Sequence, residues 1–405
     1  AQPQLTPLVT GNGHGFAVVS AVTGKLSKFY AHPYKFERAD PSDNLSEGIE
    51  TSNFIKEMDW RYDASKSRED QNRSDVAYRN QSHIINVSIG DRVQSVFMPF
   101  GIQRNALFVT STDLPSGEHC NLAIKWDHKI KTQKAVEITT KSFGTSVQAF
   151  SFEGVNETLF LIPLNSRKRT EITSSKPAVP ASADITMLSG ASAWILLSLE
   201  NEKNIASALF EIDSWRSKLD SAALLARELK QVEEWRVKPK VRFQSREEKL
   251  LWRQSEVVLR MAQILEVGRS ERHNHRLDRH NHGLIIASLP DGAWFVPWVR
   301  DMAYAADALI KMGHQKESRW ALEGFLNARP VGRMQKEVGG LPYQISVVRY
   351  FGDGAEEPYF TMEGSNNIEF DNWGLALWIL GEYVEHFSDY KFLSAPTYRG
   401  SVYEN

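Results

Sequence analysis

The chain of 405 residues carries a single cysteine, Cys120. An internal disulfide is therefore excluded, and a lone Cys reads as a small buried hydrophobe rather than as part of a redox pair. No apolar run is long enough to cross a bilayer as a helix. An excess of charge is also missing: 48 basic against 50 acidic residues leave a formal net charge of −2 at pH 7. Nothing electrostatic thus favours nucleic acid or an anionic membrane as a partner. The chain starts Ala-Gln-Pro-Gln, as a mature protein would after cleavage at a small residue, and a periplasmic or secreted protein is expected.

What is present is ordinary globular material. A hydrophobic content of 41% suffices for a sizeable core, and the length suggests two or three domains. The front, residues 1–203, reads as strands. Segments such as SHIINVSIGDRVQSVFMPFG, CNLAIKWDHKI, ETLFLIPL and AWILLSLE follow one another between Gly, Pro, Asn, Ser and Asp clusters. Gly90 and Asp91 mark a hairpin turn. Strands in succession without helices between them argue for an antiparallel β-sandwich. His14, His32 and His119 are scattered through it, and structural roles are expected for them. As a whole the sandwich reads as a brace, with a carbohydrate-binding module as the alternative.

Residues 204–242 form a connector. Leu209, Ile212, Leu219, Leu224, Leu225, Leu229 and Val232 recur at steps that fit one or two amphipathic helices. From 243 onward the pattern is helical. Ser245 with Glu247 and Glu248 predicts an N-cap, and the helix should run to about Val267, where Gly268 stops it. Further helices are expected over roughly Asp301–Met312 with Gly313 as C-cap, to Ala328, and from Phe370 or Asp371 to about Phe387. The closing SVYEN could open another.

The most informative stretch is GLIIASLPDGAWFVPWVRDMAYAADALIKMG, Gly283 to Gly313. Trp294, Phe295 and Trp298 crowd a turn, Arg300 and Asp301 follow, and Met302, Ala305, Ala306, Leu309 and Ile310 form an apolar helical stripe. Aromatic faces stack on pyranose rings, and an Arg beside a carboxylate takes their hydroxyls. An aromatic helix cap with a surface ion pair is the plainer reading of the same residues. Downstream, Glu369, Asp371 and Trp373 open the next helix, with Asp371 read first as its cap, while Glu356, Glu357 and Tyr359 could border an entrance.

The turn Trp298-Val299-Arg300-Asp301 resembles the Trp-Pro-Arg-Asp signature of family 15 glycoside hydrolases, which include glucoamylases and glucodextranases, with Val in place of Pro. GLIIAS before it, LLWRQSEVVLRMAQIL upstream and GSNNIEFDNWGLALWILGEYV downstream are similar to further segments of that family. The resemblance covers roughly Arg246 to the end, and the front more loosely. It implies a multidomain β + α protein: an N-terminal antiparallel β-sandwich (1–203), a helical linker (204–242), and the first part of an (α/α)6 toroid (243–405). It also implies that Arg300 and Asp301 hold hydroxyls of a terminal glucose and that Trp298 lines that subsite. Trp294, Glu369, Asp371 and Trp373 are the neighbours expected to share the site.

Glycoside hydrolysis with inversion needs a carboxylic acid and a carboxylate base about 6.5–9.5 Å apart. In the family this chain resembles, the acid lies in a Trp-Glu motif after the fifth helix. No such motif stands at that place in the chain, and Glu234-Trp235 in the connector has the reverse order. The expectation is an exo-acting glucoamylase-type hydrolase of α-glucans whose acid and base lie beyond Asn405, on a C-terminal fragment of the same precursor. No cofactor is expected. A phosphorylase on the same plan and a non-catalytic carbohydrate-binding protein are the alternatives. One cluster stands apart: His273, His275, His280 and His282, with Asp278 between, could bind a divalent metal, although hydrogen-bonded loop histidines are the default reading.

Overall fold

The computed structural model describes the chain apart from residues 1–5, 41, 43–46, 63–72, 91, 113–119, 140–143, 165–171, 176–184, 192, 217–219, 267, 273–274, 330–347, 358–368, 398–399 and 405. It divides into two compact units, one of residues 1–32 and 52–235, the other of residues 33–51 and 236–405. These do not coincide with the sequence boundaries at 203 and 242. Residues 33–51 group with the second unit, and the connector helices group with the first.

The first unit is the expected antiparallel sandwich. A seven-stranded sheet runs in the order Leu8–Gly11, Phe16–Val19, Leu26–Tyr30, Ile55–Arg61, Cys120–Trp126, Ile185–Ala191, Ile172–Ser175. An eight-stranded sheet runs Ile130–Thr139, Gly144–Phe152, Thr158–Leu164, Ala193–Leu199, Asn105–Thr112, Arg92–Phe97, Ile85–Ile89, Arg73–Tyr78. The expected hairpin is present, with Ile89 opposite Arg92 across Gly90 and Asp91. Between the sheets lie Phe29, Phe54, Met58, Trp60, Trp126, Phe150, Trp194 and Leu196. Side chains of a strand alternate between faces, so Ile195, Leu197 and Leu199 of the same AWILLSL segment point the other way. They meet Leu209, Ile212 and Trp215 of α1 (Ile205–Trp215) and Leu224 and Leu225 of α2 (Ser221–Trp235). A central strand apolar on both faces needs a cover on each, and the two amphipathic helices provide the second.

The second unit contains four α-helices among its described residues. In α3 (Arg246–Ala262) the Ser245 side chain accepts a hydrogen bond from the Glu248 N–H at 3.0 Å, as its sequence predicts. The helix ends at Ala262, five residues before the expected Val267. Gln263 turns extended and donates from its side chain to the carbonyls of Gly283 and Glu317, while Ile264 pairs with Leu284. The bridge between Gln263 and Ile285 draws the chain out of the helix, and Ile264 is buried there. Next come α4 (Val299–Met312), α5 (Gln315–Asn327) and α6 (Asp371–Phe387). Gly313 closes α4 in the left-handed conformation (φ 86°). SVYEN does not open a helix. Ser401 belongs to a short strand with Gly400, and the Glu404 carboxylate accepts from its N–H and Oγ in a tight turn. No described helix is long and apolar enough to cross a membrane.

Gly283 is the position where this unit is least forgiving. Its φ is +93°, and an added Cβ would stand 1.8 Å from the Trp320 carbonyl oxygen. Gly283→Ala combines left-handed strain with a backbone clash and is expected to cost about 3 kcal/mol or more. Urea unfolding of the variant checks this; an unchanged midpoint would contradict it.

Candidate functional site

Trp298 is the N-cap of α4 and is extended (φ −97°, ψ 128°). Its place is set by main-chain hydrogen bonds rather than by its own ring. It pairs with Arg349 as an antiparallel bridge; Val299 N–H donates to Val348 O at 3.0 Å, and Tyr350 N–H to Pro297 O at 2.9 Å. On the other side, Ala287 N–H donates to Val296 O and Ser288 N–H to Trp294 O. Lys35 N–H reaches Phe295 O at 2.9 Å, so the 33–51 segment also fastens the turn. Such a fixed backbone holds side chains in one geometry before any ligand arrives.

The side chains form two adjoining groups. Trp294 and Trp298 meet edge to face with centroids 5.5 Å apart. Trp294 is 47% exposed, whereas Phe295 is buried in the unit's core. The Arg349 guanidinium lies 5.8 Å from the Trp294 ring and 5.3 Å from the Trp298 ring, within cation–π range. Arg349 is itself buried and held by Glu357, whose Oε1 accepts from Nη2 at 2.5 Å while Oε2 faces Nε. Burial pushes the Glu357 carboxyl up, against the opposing pull of Arg349. Sequence reading placed Glu357 near an entrance; the structure makes it the anchor of the arginine behind the tryptophans. Arg349 was missed. It lies in no repeat or motif, and only the long-range bridge to Trp298 reveals it.

In the second group Arg300 pairs with Glu369 and, at 3.4 Å, with Asp371. Burial opposes the charge on Arg300, but the two carboxylates outweigh it and raise the guanidinium further above its ordinary value. Asp301 is exposed in the first turn of α4. Arg300 thus contacts acids on the next helix start rather than its neighbour in the motif. Asp371 stands in the first turn of α6, where a negative charge suits the helix dipole. No side-chain cap bond is made at the N-cap position, Phe370. Trp373 lies two residues on and is 44% exposed. Tyr359 is outside the described residues.

Of the four clustered histidines, His280 and His282 have described side chains. His282 Nδ1 lies 3.2 Å from Leu265 O, and its ring meets Trp320 edge-on with centroids 5.0 Å apart. A ring nitrogen donating to a carbonyl is an ordinary loop histidine. His280 is half-buried, with its N–H on Asp353 O. His273 lies outside the described residues, as does the side chain of His275. Among the described residues, none of the four belongs to a group spaced to share an ion.

No family model matches the sequence, and no curated protein matches it. Solved structures do. A bacterial glucoamylase complexed with acarbose aligns over 96% of this chain and 58% of its own, at 12% identity and a TM-score of 0.53. A protein assigned as a kojibiose phosphorylase, from the human microbiome, aligns over 95% and 52% at 12% identity, with a TM-score of 0.48. An inverting family 92 mannosidase from Bacteroides thetaiotaomicron aligns over 96% and 62% at 10% identity, with a TM-score of 0.40. The chain spans less than two thirds of the length of each of these proteins. The sandwich followed by helices is therefore a fold shared with the glucoamylase.

Burial lowers the His282 imidazole below its ordinary value, against the opposing Leu265 carbonyl. The unfolded chain then binds the proton more readily. Stability contributed by neutral His282 is present above about pH 6.5 and lost as pH falls through the lower folded value. His282→Gln should flatten the fall in stability below that pH in urea unfolding at a series of pH values. Parallel profiles for the two proteins would exclude this role.

Proposed function

We propose that this chain is the substrate-gripping part of an exo-acting α-glucoside hydrolase of glucoamylase type, which works with inversion. The observation that carries the reading is the pinned tryptophan corner beside a charged helix start. Trp294 and Trp298 offer aromatic surface, one face of it open to water, and Asp301 and Arg300 stand at the adjoining end of α4. A pyranose stacks its apolar face on such rings, while carboxylate and guanidinium take its hydroxyls. Two N–H groups of Arg300 serve Glu369 and Asp371, and a guanidinium has five. Glu369 and Asp371 then act as positioning groups that aim Arg300, and Trp373 borders the same helix start.

The catalytic acid and base are assigned to a further polypeptide, the C-terminal fragment of one precursor. Helices α3, α4 and α6 support this. Leu251 (69%), Tyr304 (58%), Phe370 (77%) and Leu377 (71%) are exposed on or beside them, and apolar side chains of this size on neighbouring helices mark a surface that another element covers. A periplasmic or secreted setting belongs to the same reading.

The clamp can be tested on this chain without the completing fragment. Titration with maltotriose is expected to change the tryptophan fluorescence. Trp298→Ala should weaken binding about tenfold, the scale of one lost aromatic contact. In the complete assembly, glucose release from maltose should need no phosphate, and Asp301→Ala should raise KM. Binding that is indifferent to Trp298 and Asp301 would remove the assignment; phosphate-dependent release would turn it to a phosphorylase.

A further inference from the structure

The sandwich unit contains a group that the sugar reading does not use. His32 Nε2 stands 3.1 Å from Glu157 Oε1 and 3.7 Å from Glu200 Oε1. The three ligand atoms all lie within 4.8 Å of one another. Four donors placed tetrahedrally around Zn2+ at bonds of about 2.0 Å are about 3.3 Å apart, so the spacing already approaches that of a coordination shell. We propose that His32, Glu157 and Glu200 form a structural site for a divalent transition metal, zinc by its donor set, which clips the two sheets together at one end.

Topology explains why these residues meet. Glu157 immediately precedes the strand Thr158–Leu164, and Glu200 immediately follows Ala193–Leu199. The two strands are antiparallel neighbours with Thr158 opposite Leu199, so their flanking glutamates emerge side by side. His32 comes from the other sheet, two residues beyond Leu26–Tyr30. Its approach is fixed independently of the glutamates. Asn105 Nδ2 donates to Tyr30 O at 2.9 Å and to Ala31 O at 2.8 Å, and Ala31 N–H donates to Ser52 O. A backbone held in this way presents the imidazole before an ion arrives, which is what a metal site requires of its supporting groups.

The electrostatics point the same way. His32 is 3% exposed and Glu157 1%. Two ionised carboxylates at such spacing repel, and burial removes the water that would screen them. With a neutral imidazole the three groups carry two negative charges. A proton on His32 offsets one of them; a dication offsets both and leaves the imidazole free to ligate. One imidazole nitrogen with two carboxylate oxygens suits zinc and its first-row neighbours, whereas calcium and magnesium take all-oxygen shells. Glu200 is the most open of the three, its side chain 23% exposed. It gives the ion a way in and leaves a fourth position to water. Sequence reading assigned His32 a structural part only, because Glu157 and Glu200 lie far from it along the chain.

The test uses the full chain, stripped with a chelator and then titrated with ZnCl2 alone. One zinc per chain is expected by elemental analysis after gel filtration, with a rise in the thermal unfolding midpoint on reloading. Cobalt(II) in its place should give visible d–d bands of a low-coordinate site. His32→Gln and Glu200→Gln should each raise the dissociation constant at least about tenfold. If the buried His32→Gln variant fails to fold, Glu200→Gln at the more open position carries the comparison. Protein whose stability ignores zinc, or zinc that binds equally well to Glu200→Gln, would overturn the site and leave His32 as a hydrogen-bond partner of Glu157.

Discussion

The pairing of residues 297–299 with 348–350 is the constraint on which the candidate site depends. Two main-chain hydrogen bonds, Val299 N–H to Val348 O and Tyr350 N–H to Pro297 O, fix where α4 begins. Trp298 is thereby held extended at the helix start, and Arg349 is delivered behind it. From the buried face Glu357 secures Arg349. The tryptophans thus rest on a buried ion pair in which Arg349 Nη2 donates to Glu357, a costly arrangement to break from one side only. The exposed part of the corner can then face solvent without being free to rearrange.

A comparable device secures the neighbouring loop. Arg38 and Asp353 form a buried ion pair at 2.9 Å, Gly352 N–H donates to Phe36 O, and Asn281 Nδ2 donates to Gly352 O at 2.6 Å. The 33–51 segment, with its paired strands Phe36–Arg38 and Gly48–Glu50, is thereby tied into the helical unit. Irregular chain is tolerated inside a unit only where its polar groups find partners, and here side chains from three separate segments supply them.

Much of this could be read in the residues, and the legible part was the periodic part. Alternating apolar runs marked the strands, Gly90-Asp91 the hairpin, and Ser245 and Gly313 two helix ends. Each is a local signal carried by neighbouring residues. The continuous apolar AWILLSL even held the clue that its sheet is covered on both faces. What could not be read depends on contacts far apart along the chain. The chain leaves α3 at Gln263 because its backbone there pairs with residues 284–286. Residues 33–51 join the second unit through partners some three hundred positions away. Arg349 and the His32–Glu157–Glu200 group have no spacing in sequence to announce them. The Trp298–Asp301 motif was legible as an aromatic and charged helix start, yet its arginine pairs with Glu369 and Asp371, and Asp301 is left open to water.

The sugar-binding role proposed for the Trp294–Trp298 corner can be observed in crystals of this chain soaked with maltotriose. A terminal glucose stacked on the tryptophan pair, with its hydroxyls on Asp301 and Arg300, is expected. Sugar bound elsewhere with the corner empty, or no sugar bound while the corner stands open to solvent, would contradict it.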